Sequence, residues 1–234
     1  MALPKLNGAP KYQITVPSTG QEVRYRPYLV KEEKILMLAM ESQDQGSALS
    51  AIVDTIQSCV TDDINTNELT TFDVEYLFTQ IRAKSVGETA KIGVGCKHCD
   101  ATNEVVVKLD DIKVTNPDDL DKTIVLTDTI SLLMRWPSYK EVTTMDTTQT
   151  DTETTFSLIA ACIDSVQTPD ESIRLRDETV KEVTEFVESL SSAQFDLIKS
   201  YVEQMPKMEH KVNFECISCK KESDITLSGI SDFF

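Results

Sequence analysis

The chain has few of the residues that build phosphate-binding loops and catalytic centres. Its 234 residues include 7 glycines, 2 histidines and 1 tryptophan. Neither a glycine-rich phosphate loop nor a Gly-x-Ser-x-Gly nucleophile turn is present. The acidic run at 110–121 lacks the central glycine and the terminal glutamate of a calcium-binding loop. We therefore expect that this protein is not an enzyme.

Positive charge and long apolar runs are also scarce. The chain has 23 basic and 39 acidic residues and a formal net charge of −16. Binding to a nucleic-acid backbone requires a basic surface, and the basic residues that cluster at 24–34 are offset by glutamates. The longest apolar run, 35–40, is too short to cross a bilayer and is predicted to be a buried helix face. The sequence argues against nucleic-acid binding and membrane insertion, and favours basic proteins as partners.

Two matched cysteine pairs are the most informative feature of the chain. Cys96 and Cys99 lie in a turn between two strand-like runs, and Cys216 and Cys219 lie in a second such turn. Two cysteines separated by two residues supply half of a tetrahedral thiolate shell. We predict one structural zinc site shared by all four sulfurs, with no open position for a substrate.

Other interpretations of the thiols fit their context less well. A redox Cys-x-x-Cys motif begins a helix, whereas both pairs are predicted to lie at hairpin tips. Structural disulfides are disfavoured because the sequence opens without a secretory leader. Iron in place of zinc is left open. Cys59 and Cys162 lie in apolar helical runs and are predicted to be buried core thiols, while His98 and His210 are expected to be surface residues rather than ligands.

The order of predicted elements repeats along the chain. An offset of 120 residues superimposes the first cysteine pair on the second, and an offset of 106 superimposes the helical run 51–60 on 157–166. We predict an α+β fold of two related halves, 1–115 and 116–234, which arose by internal duplication and pack as one unit. Each half is predicted to contain a strand pair, helices and a zinc-ribbon-like hairpin tipped by a cysteine pair, and the shared zinc joins the halves.

Apolar residues three and four positions apart predict three helices in each half. In the first helix, Ile35, Leu38 and Ala39 are expected to face the core. Thr70 and Ser191, or the residue after each, are predicted helix caps. The threonine-rich segment 143–155 is predicted to be a connector or the lead-in to a helix. The predicted helices span 30–43, 47–60 and 70–85 in the first half and 152–165, 177–190 and 192–204 in the second.

Two aromatic segments are candidate partner contacts. Tyr25, Arg26 and Tyr28 place two aromatic rings and an arginine just before a helix, a composition that is enriched at interface hot spots. The alternative is that this strand end packs on its own helix. Phe233 and Phe234 put two aromatic rings at the chain end, where a neighbour could bind them.

The N-terminal sequence resembles that of a known family. The opening Met1-Ala-Leu-Pro-Lys-Leu, the stretch Tyr12-Gln-Ile-Thr-Val-Pro-Ser-Thr-Gly and the segment 25–42 resemble the N-terminal signature of the T-even-type phage baseplate proteins that act in building the tail hub. The first cysteine pair, which follows Val86-Gly-Glu-Thr, is similar to that family as well.

The resemblance implies a non-enzymatic role in the tail baseplate. The chain would act either as an assembly chaperone of the central hub or as a minor structural subunit, with baseplate hub proteins as partners. It would be found in the host cytoplasm during assembly, or in the virion tail baseplate if it is retained. A zinc-stabilised adaptor between proteins, unrelated to tails, is the alternative.

Overall fold

The computed structural model describes residues 8, 10–42, 45–99, 101–115, 120–145 and 150–232. Within these ranges the fold is mixed α+β, as predicted, and none of the helices is long and apolar enough to cross a membrane. In chain order the elements are β1 (Tyr12–Thr15), β2 (Glu22–Tyr25), α1 (Val30–Glu41), α2 (Gln45–Cys59), α3 (Thr71–Ser85), β3 (Thr89–Gly95), β4 (Thr102–Lys108), β5 (Lys113–Thr115), β6 (Thr123–Val125), β7 (Ser131–Met134), α4 (Tyr139–Thr143), α5 (Asp151–Ala161), β8 (Ile163–Gln167), β9 (Ser172–Arg174), α6 (Val180–Glu188), α7 (Ser192–Glu203), β10 (Lys207–Glu215) and β11 (Glu222–Ser228).

The chain forms two compact units. The first consists of residues 1–115 together with 207–234, and the second consists of residues 116–206. The units differ from the predicted halves 1–115 and 116–234 because β10 pairs with both β5 and β11, so the last hairpin belongs to the first unit. The origin of the halves by duplication stays a prediction.

The first unit surrounds helix α3. This helix begins with a capping box in which Thr70 and Asp73 bond each other's backbone N–H groups, so Thr70 is the cap of the two predicted candidates. Leu77 and Ile81 of α3 are fully buried. Strands β1 and β2 pair as an antiparallel hairpin, β3 pairs with β4, and β5, β10 and β11 form a three-stranded antiparallel sheet. The apolar faces of these last two sheets share one core, which includes Val107, Leu109 and Met208.

The second unit is a four-stranded antiparallel sheet with helices α4 to α7. Its strand order is β6-β7-β8-β9. The core brings together Leu132 of β7, Ile159 of α5 and Ile198 of α7, all fully buried. Helix α7 begins at the predicted cap, where the Ser191 side chain accepts the N–H of Gln194.

One predicted helix is wrong in its second half. The helix expected over 152–165 ends at Ala161, and Ile163–Gln167 forms strand β8 instead. This strand bonds β7 on one side and β9 on the other, so its backbone groups find partners that a longer helix would forgo. Apolar spacing alone did not separate the two states because a short apolar run fits either period.

The predicted core face of α1 is also wrong. Leu36 and Glu32 are the buried residues of this helix, while Ile35 and Leu38 are more than half exposed. The run 35–40 is apolar on nearly every side of the helix, so its pattern does not identify one face. The buried side is the one that carries the Glu32 carboxylate toward Arg26.

Both units contain the same turn from a strand into a helix. After β2, Arg26 pairs with Glu32 at 2.9 Å, and after β7, Arg135 pairs with Glu141 at 2.6 Å. Each glutamate also accepts a backbone N–H three residues before it in the sequence. We refer to these two arrangements as the first and second Arg–Glu corners.

The backbone of each corner is attached to a buried cysteine. The N–H of Arg26 donates to the carbonyl of Cys59 at 3.0 Å, and the N–H of Arg135 donates to the carbonyl of Cys162 at 2.8 Å. Both thiols are fully buried, which confirms their predicted place in the core. Burial raises the pKa of Cys59 to about 11 and that of Cys162 to about 12, so both stay protonated and unreactive at neutral pH.

Candidate metal centre

Two hairpins of the first unit carry the cysteine pairs at their tips. The antiparallel register of β3 with β4 pairs Lys91 with Val106, and that of β10 with β11 pairs Lys211 with Thr226. Each residue of the first pair lies 120 positions before its counterpart in the second. The two hairpins therefore have the same register and present their cysteines in equivalent turns.

The four sulfurs meet between the hairpin tips. The Sγ atoms of Cys96 and Cys219 lie 3.8 Å apart, and those of Cys99 and Cys216 lie 3.6 Å apart. All four sulfurs lie within 4.8 Å of one another. A tetrahedral zinc site with Zn–S bonds of about 2.3 Å has sulfurs about 3.8 Å apart. This geometry confirms that the two pairs come together, and the sulfur positions fit a single metal ion.

Backbone hydrogen bonds shape each turn around its cysteines. The N–H of Cys96 donates to the carbonyl of Ala101, and the N–H of Cys216 donates to the carbonyl of Lys221, both at 3.0 Å. The N–H of His98 points at the Cys96 sulfur at 3.4 Å. An N–H group that points at a sulfur, as that of His98 does, stabilises the thiolate, which is the form of cysteine that binds a metal.

The thiols of the second pair differ in acidity. Backbone N–H groups of Cys219 and Ser218, which donate to the Cys216 sulfur, lower the pKa of Cys216. A backbone N–H of Lys221 acts to lower the pKa of Cys219, but burial and the neighbouring thiols outweigh it, and the pKa is raised. Adjacent thiolates repel one another, so a bound cation is needed for all four to ionise together.

Two polar side chains fasten one hairpin to the other beside the sulfurs. The Oδ1 atom of Asn103 on β4 accepts the N–H of Ile217 at 2.8 Å. In the equivalent place on β11, the Oγ atom of Ser223 accepts the N–H of Lys97 at 3.4 Å. Asn103 and Ser223 are both buried. The two acceptors, Asn103 and Ser223, are 120 residues apart, and so are the two donors, Lys97 and Ile217. The cross-links are therefore related by the same offset as the hairpins.

These cross-links were missed from sequence. Asparagine and serine carry no ligand signature, and the offset of 120 that aligns the cysteines would have placed Asn103 on Ser223 as a matched polar pair. The left-handed backbone of Lys220, with φ of 59°, was missed as well, since this conformation usually marks a glycine.

The histidines lie outside the ligand set. His98 is exposed, and its Nε2 atom lies 3.3 Å from the carbonyl oxygen of Glu222. His210 lies within β10 and pairs with Leu227. Among the described residues, the group of side chains arranged to hold a metal is that of the four cysteines.

Three of the candidate partner residues lie at the first Arg–Glu corner and the segment that follows β2. Tyr25 is buried and forms a β-bridge with Val60, and Arg26 pairs with Glu32. These contacts are the ones expected if the strand end packs within its own unit rather than on a partner. Tyr28 is half-buried, and its N–H donates to the Ser85 hydroxyl. A partner contact by Tyr28 stays a prediction. Phe233 and Phe234 lie outside the described residues.

Comparison with known protein families gives a match over nearly the whole chain. A family model described as "T4 bacteriophage base plate protein" matches residues 9–234, nearly the whole chain. No curated protein and no solved structure matches the sequence or the fold.

Proposed function

The chain belongs to the T4 bacteriophage base plate protein family, and from this membership we propose that it acts without catalysis in assembling the central hub of the phage baseplate. In this role it is an assembly factor that contacts hub proteins in the host cytoplasm while the baseplate is built. Its family membership confirms the resemblance found in the N-terminal sequence and makes other baseplate proteins its partners.

The closed thiolate cluster supports the non-catalytic part of this proposal. Four sulfurs fill a tetrahedral shell, so a metal held there has no open position for a substrate or an activated water. The metal would instead hold two hairpins together whose cysteines are more than a hundred residues apart in sequence. A site of this kind provides rigidity, which suits a protein that works by binding other proteins.

We propose zinc as the metal. Four thiolates at tetrahedral spacing suit zinc, and the backbone N–H groups that point at the sulfurs supply the outer hydrogen bonds typical of such sites. Zinc bound here contributes folding free energy directly. Elemental analysis of the purified chain is expected to give one zinc per chain. Iron at that stoichiometry would replace zinc in the proposal and leave the structural role intact.

The charge of the chain supports a protein partner over a nucleic acid. A net charge of −16 repels phosphate backbones and attracts basic protein surfaces at long range. Hub proteins with basic contact surfaces would therefore associate quickly with this chain, and the rate would fall as salt is added.

Quantitative mass spectrometry of purified virions and of tail-assembly intermediates from infected cells tests the proposed role. An assembly factor is expected in the intermediates, bound to hub proteins, and absent from finished particles. Stoichiometric amounts in both samples would overturn the assembly-factor role.

A minor structural subunit is the second candidate. The buried cross-links of Asn103 and Ser223 favour it, because they brace the thiolate cluster into a rigid bracket of the kind that a permanent subunit would use. A fixed copy number in virions would establish this role. Absence from both virions and intermediates would point instead to a zinc-stabilised adaptor that acts outside the tail.

A further inference from the structure

Helix α1 leaves most of its large apolar side chains in solvent. Of its six large apolar residues only Leu36 is buried. Val30 is 79% exposed, and the other four, Ile35, Met37, Leu38 and Met40, are between 53% and 58% exposed. Leu29, which precedes the helix, is also exposed. Single exposed apolar residues are ordinary, but a group of six on one short element marks a protein contact surface.

The exposed face of α1 also carries two opposite charges. Val30, Lys34, Met37 and Glu41 follow one another at the spacing of a single helix face, and Leu38 lies beside them. Lys34 and Glu41 are both exposed. Neither takes part in the ion pairs found among the residues that the structure describes. Lys31, seven residues before Leu38, is exposed as well, but its ammonium group pairs with Glu32 at 3.2 Å. The unpaired charges of the face therefore balance, although the chain as a whole is strongly acidic.

The arrangement of these two charges is self-complementary. Lys34 lies three residues before Met37, and Glu41 lies three residues after Leu38. If two copies of the helix pack antiparallel with a twofold axis between Met37 and Leu38, each Lys34 faces the Glu41 of the partner subunit. Parallel packing would put like charges together instead. An interface of this kind forms two ion pairs around a centre of methionine and leucine.

We propose that α1 is the interface of a homodimer in which the helices of two copies pack antiparallel about this twofold axis. Helix α1 has 12 residues and is about 18 Å long, so the interface is small and the dimer is weak. We expect dissociation in the range of roughly 10 to 100 µM. The methionines suit the interface because their flexible side chains adapt to the facing helix. This inference does not depend on the assembly role proposed above.

Charge reversal on α1 tests the symmetry as well as the contact. The full metal-loaded chain is studied by sedimentation velocity over about 1 to 200 µM in about 0.15 M salt, where repulsion between the acidic copies is screened. The wild type is expected to dimerise. Lys34→Glu and Glu41→Lys alone are each expected to weaken dimerisation at least tenfold, because each puts like charges face to face.

Recombining the variants gives the sharpest result. An equimolar mixture of Lys34→Glu with Glu41→Lys is expected to dimerise, since one copy then presents two glutamates and the other presents two lysines at the facing positions. The double variant Lys34→Glu/Glu41→Lys is expected to dimerise like the wild type. Lys181→Glu on α6 is the matched control for Lys34→Glu, with the same change in net charge and no expected effect on dimerisation.

Several results would overturn the dimer. A wild type that stays monomeric over the whole concentration range would do so, and a baseplate protein found on α1 instead would then be its occupant. Equal association of Lys34→Glu, Glu41→Lys and the Lys181→Glu control would also do so. Leu38→Glu changes an exposed side chain and should fold normally, so dimerisation of this variant at wild-type strength would likewise rule out the interface.

Discussion

The two compact units contain the same Arg–Glu corner, but only the first also contains the thiolate cluster. The corners differ in exposure, since the Glu32 side chain is 5% exposed and the Glu141 side chain is 39% exposed. Arg135 donates hydrogen bonds to both carboxylate oxygens of Glu141. Arg26 donates one hydrogen bond to Glu32 and others to the backbone carbonyls of Pro27 and Ser58.

The comparison shows that the same Arg–Glu pair is used both where the carboxylate is buried and where it is partly exposed. In both units the arginine neutralises a glutamate that is needed at the start of a helix, and the strand is attached to the end of another helix through a cysteine carbonyl. In the first unit the carboxylate is enclosed, and Arg26 is the nearer of its two cationic partners, with the exposed Lys31 at 3.2 Å. In the second unit the carboxylate is partly exposed, so solvent also stabilises its charge.

Loss of the metal site should give the largest difference in stability between the two units. We expect Cys96→Ser and Cys216→Ser to lower the free energy of unfolding of the first unit by similar amounts, at least about 3 kcal/mol, because each breaks the same tetrahedral site. Trp136, the one tryptophan in the sequence, lies in the second unit and stacks on Tyr201 at 4.5 Å. Its fluorescence should change little while circular dichroism records the loss in the first unit.

His98→Ser is the matched control for the cysteine variants, since this exposed residue lies between two ligands without belonging to the sulfur cluster. It should keep the metal and nearly all of the stability. If only one of the two cysteine variants loses stability, the hairpins do not share a metal.

Deleting the two arginines compares the corners directly. Arg26→Ala leaves the Glu32 carboxylate buried without its main partner and should cost about 3 kcal/mol. Arg135→Ala leaves a carboxylate that water can reach and should cost about 1 kcal/mol. Urea unfolding of both variants measures the difference. Adding Glu32→Ala to Arg26→Ala should recover part of the loss, and equal costs at the two corners would contradict this account.

The second corner should also make stability depend on pH. The hydrogen bond from Arg135 outweighs the effect of burial and lowers the pKa of Glu141 to about 2. A carboxyl with a lowered folded pKa stabilises the protein above its unfolded pKa of about 4.3, and this contribution disappears as the pH falls through about 2. Since the side chain is partly exposed, we expect a contribution of about 1 kcal/mol at neutral pH.

Glu141→Gln measures this contribution. The difference in unfolding free energy between wild type and variant, followed by Trp136 fluorescence, should be constant above about pH 5 and shrink between about pH 4.3 and 2. Glu182→Gln is the control, because Glu182 occupies the same position in the capping box of α6 and is bonded by Thr179 without an arginine. A difference that grows toward acid pH would disprove the role of Arg135.

Local signals in the sequence predicted the parts of the fold that depend on neighbouring residues. Thr70 and Ser191 were among the predicted caps because serine and threonine side chains accept the free N–H groups at the start of a helix. The cysteine pairs identified two hairpin tips, and their spacing required that they meet, since neither pair can complete a tetrahedral shell alone.

Features that depend on distant contacts were not predictable in this way. Strand β8 forms because β7 and β9 offer backbone partners on both sides, which no local period reveals. The buried side of α1 is decided by the pairing of Glu32 with Arg26 rather than by apolar spacing. The cross-links from Asn103 and Ser223 exist only because the two hairpins stand side by side.

The smallest expected effect concerns the turn that follows Cys219. Lys220 has a left-handed backbone with φ of 59°, and its N–H donates to the carbonyl of Cys216 at 3.0 Å. Glycine adopts this conformation without the steric cost that lysine bears, so Lys220→Gly should stabilise the metal-loaded chain by about 0.5 to 1 kcal/mol. Lys221→Gly, next to it but without a positive φ, should instead lose stability, because glycine there only adds freedom to the unfolded chain. Urea midpoints that move in opposite directions would show that the left-handed turn, and not the lysine side chain, shapes this end of the thiolate cluster. Lower midpoints in both variants would contradict this role of the turn.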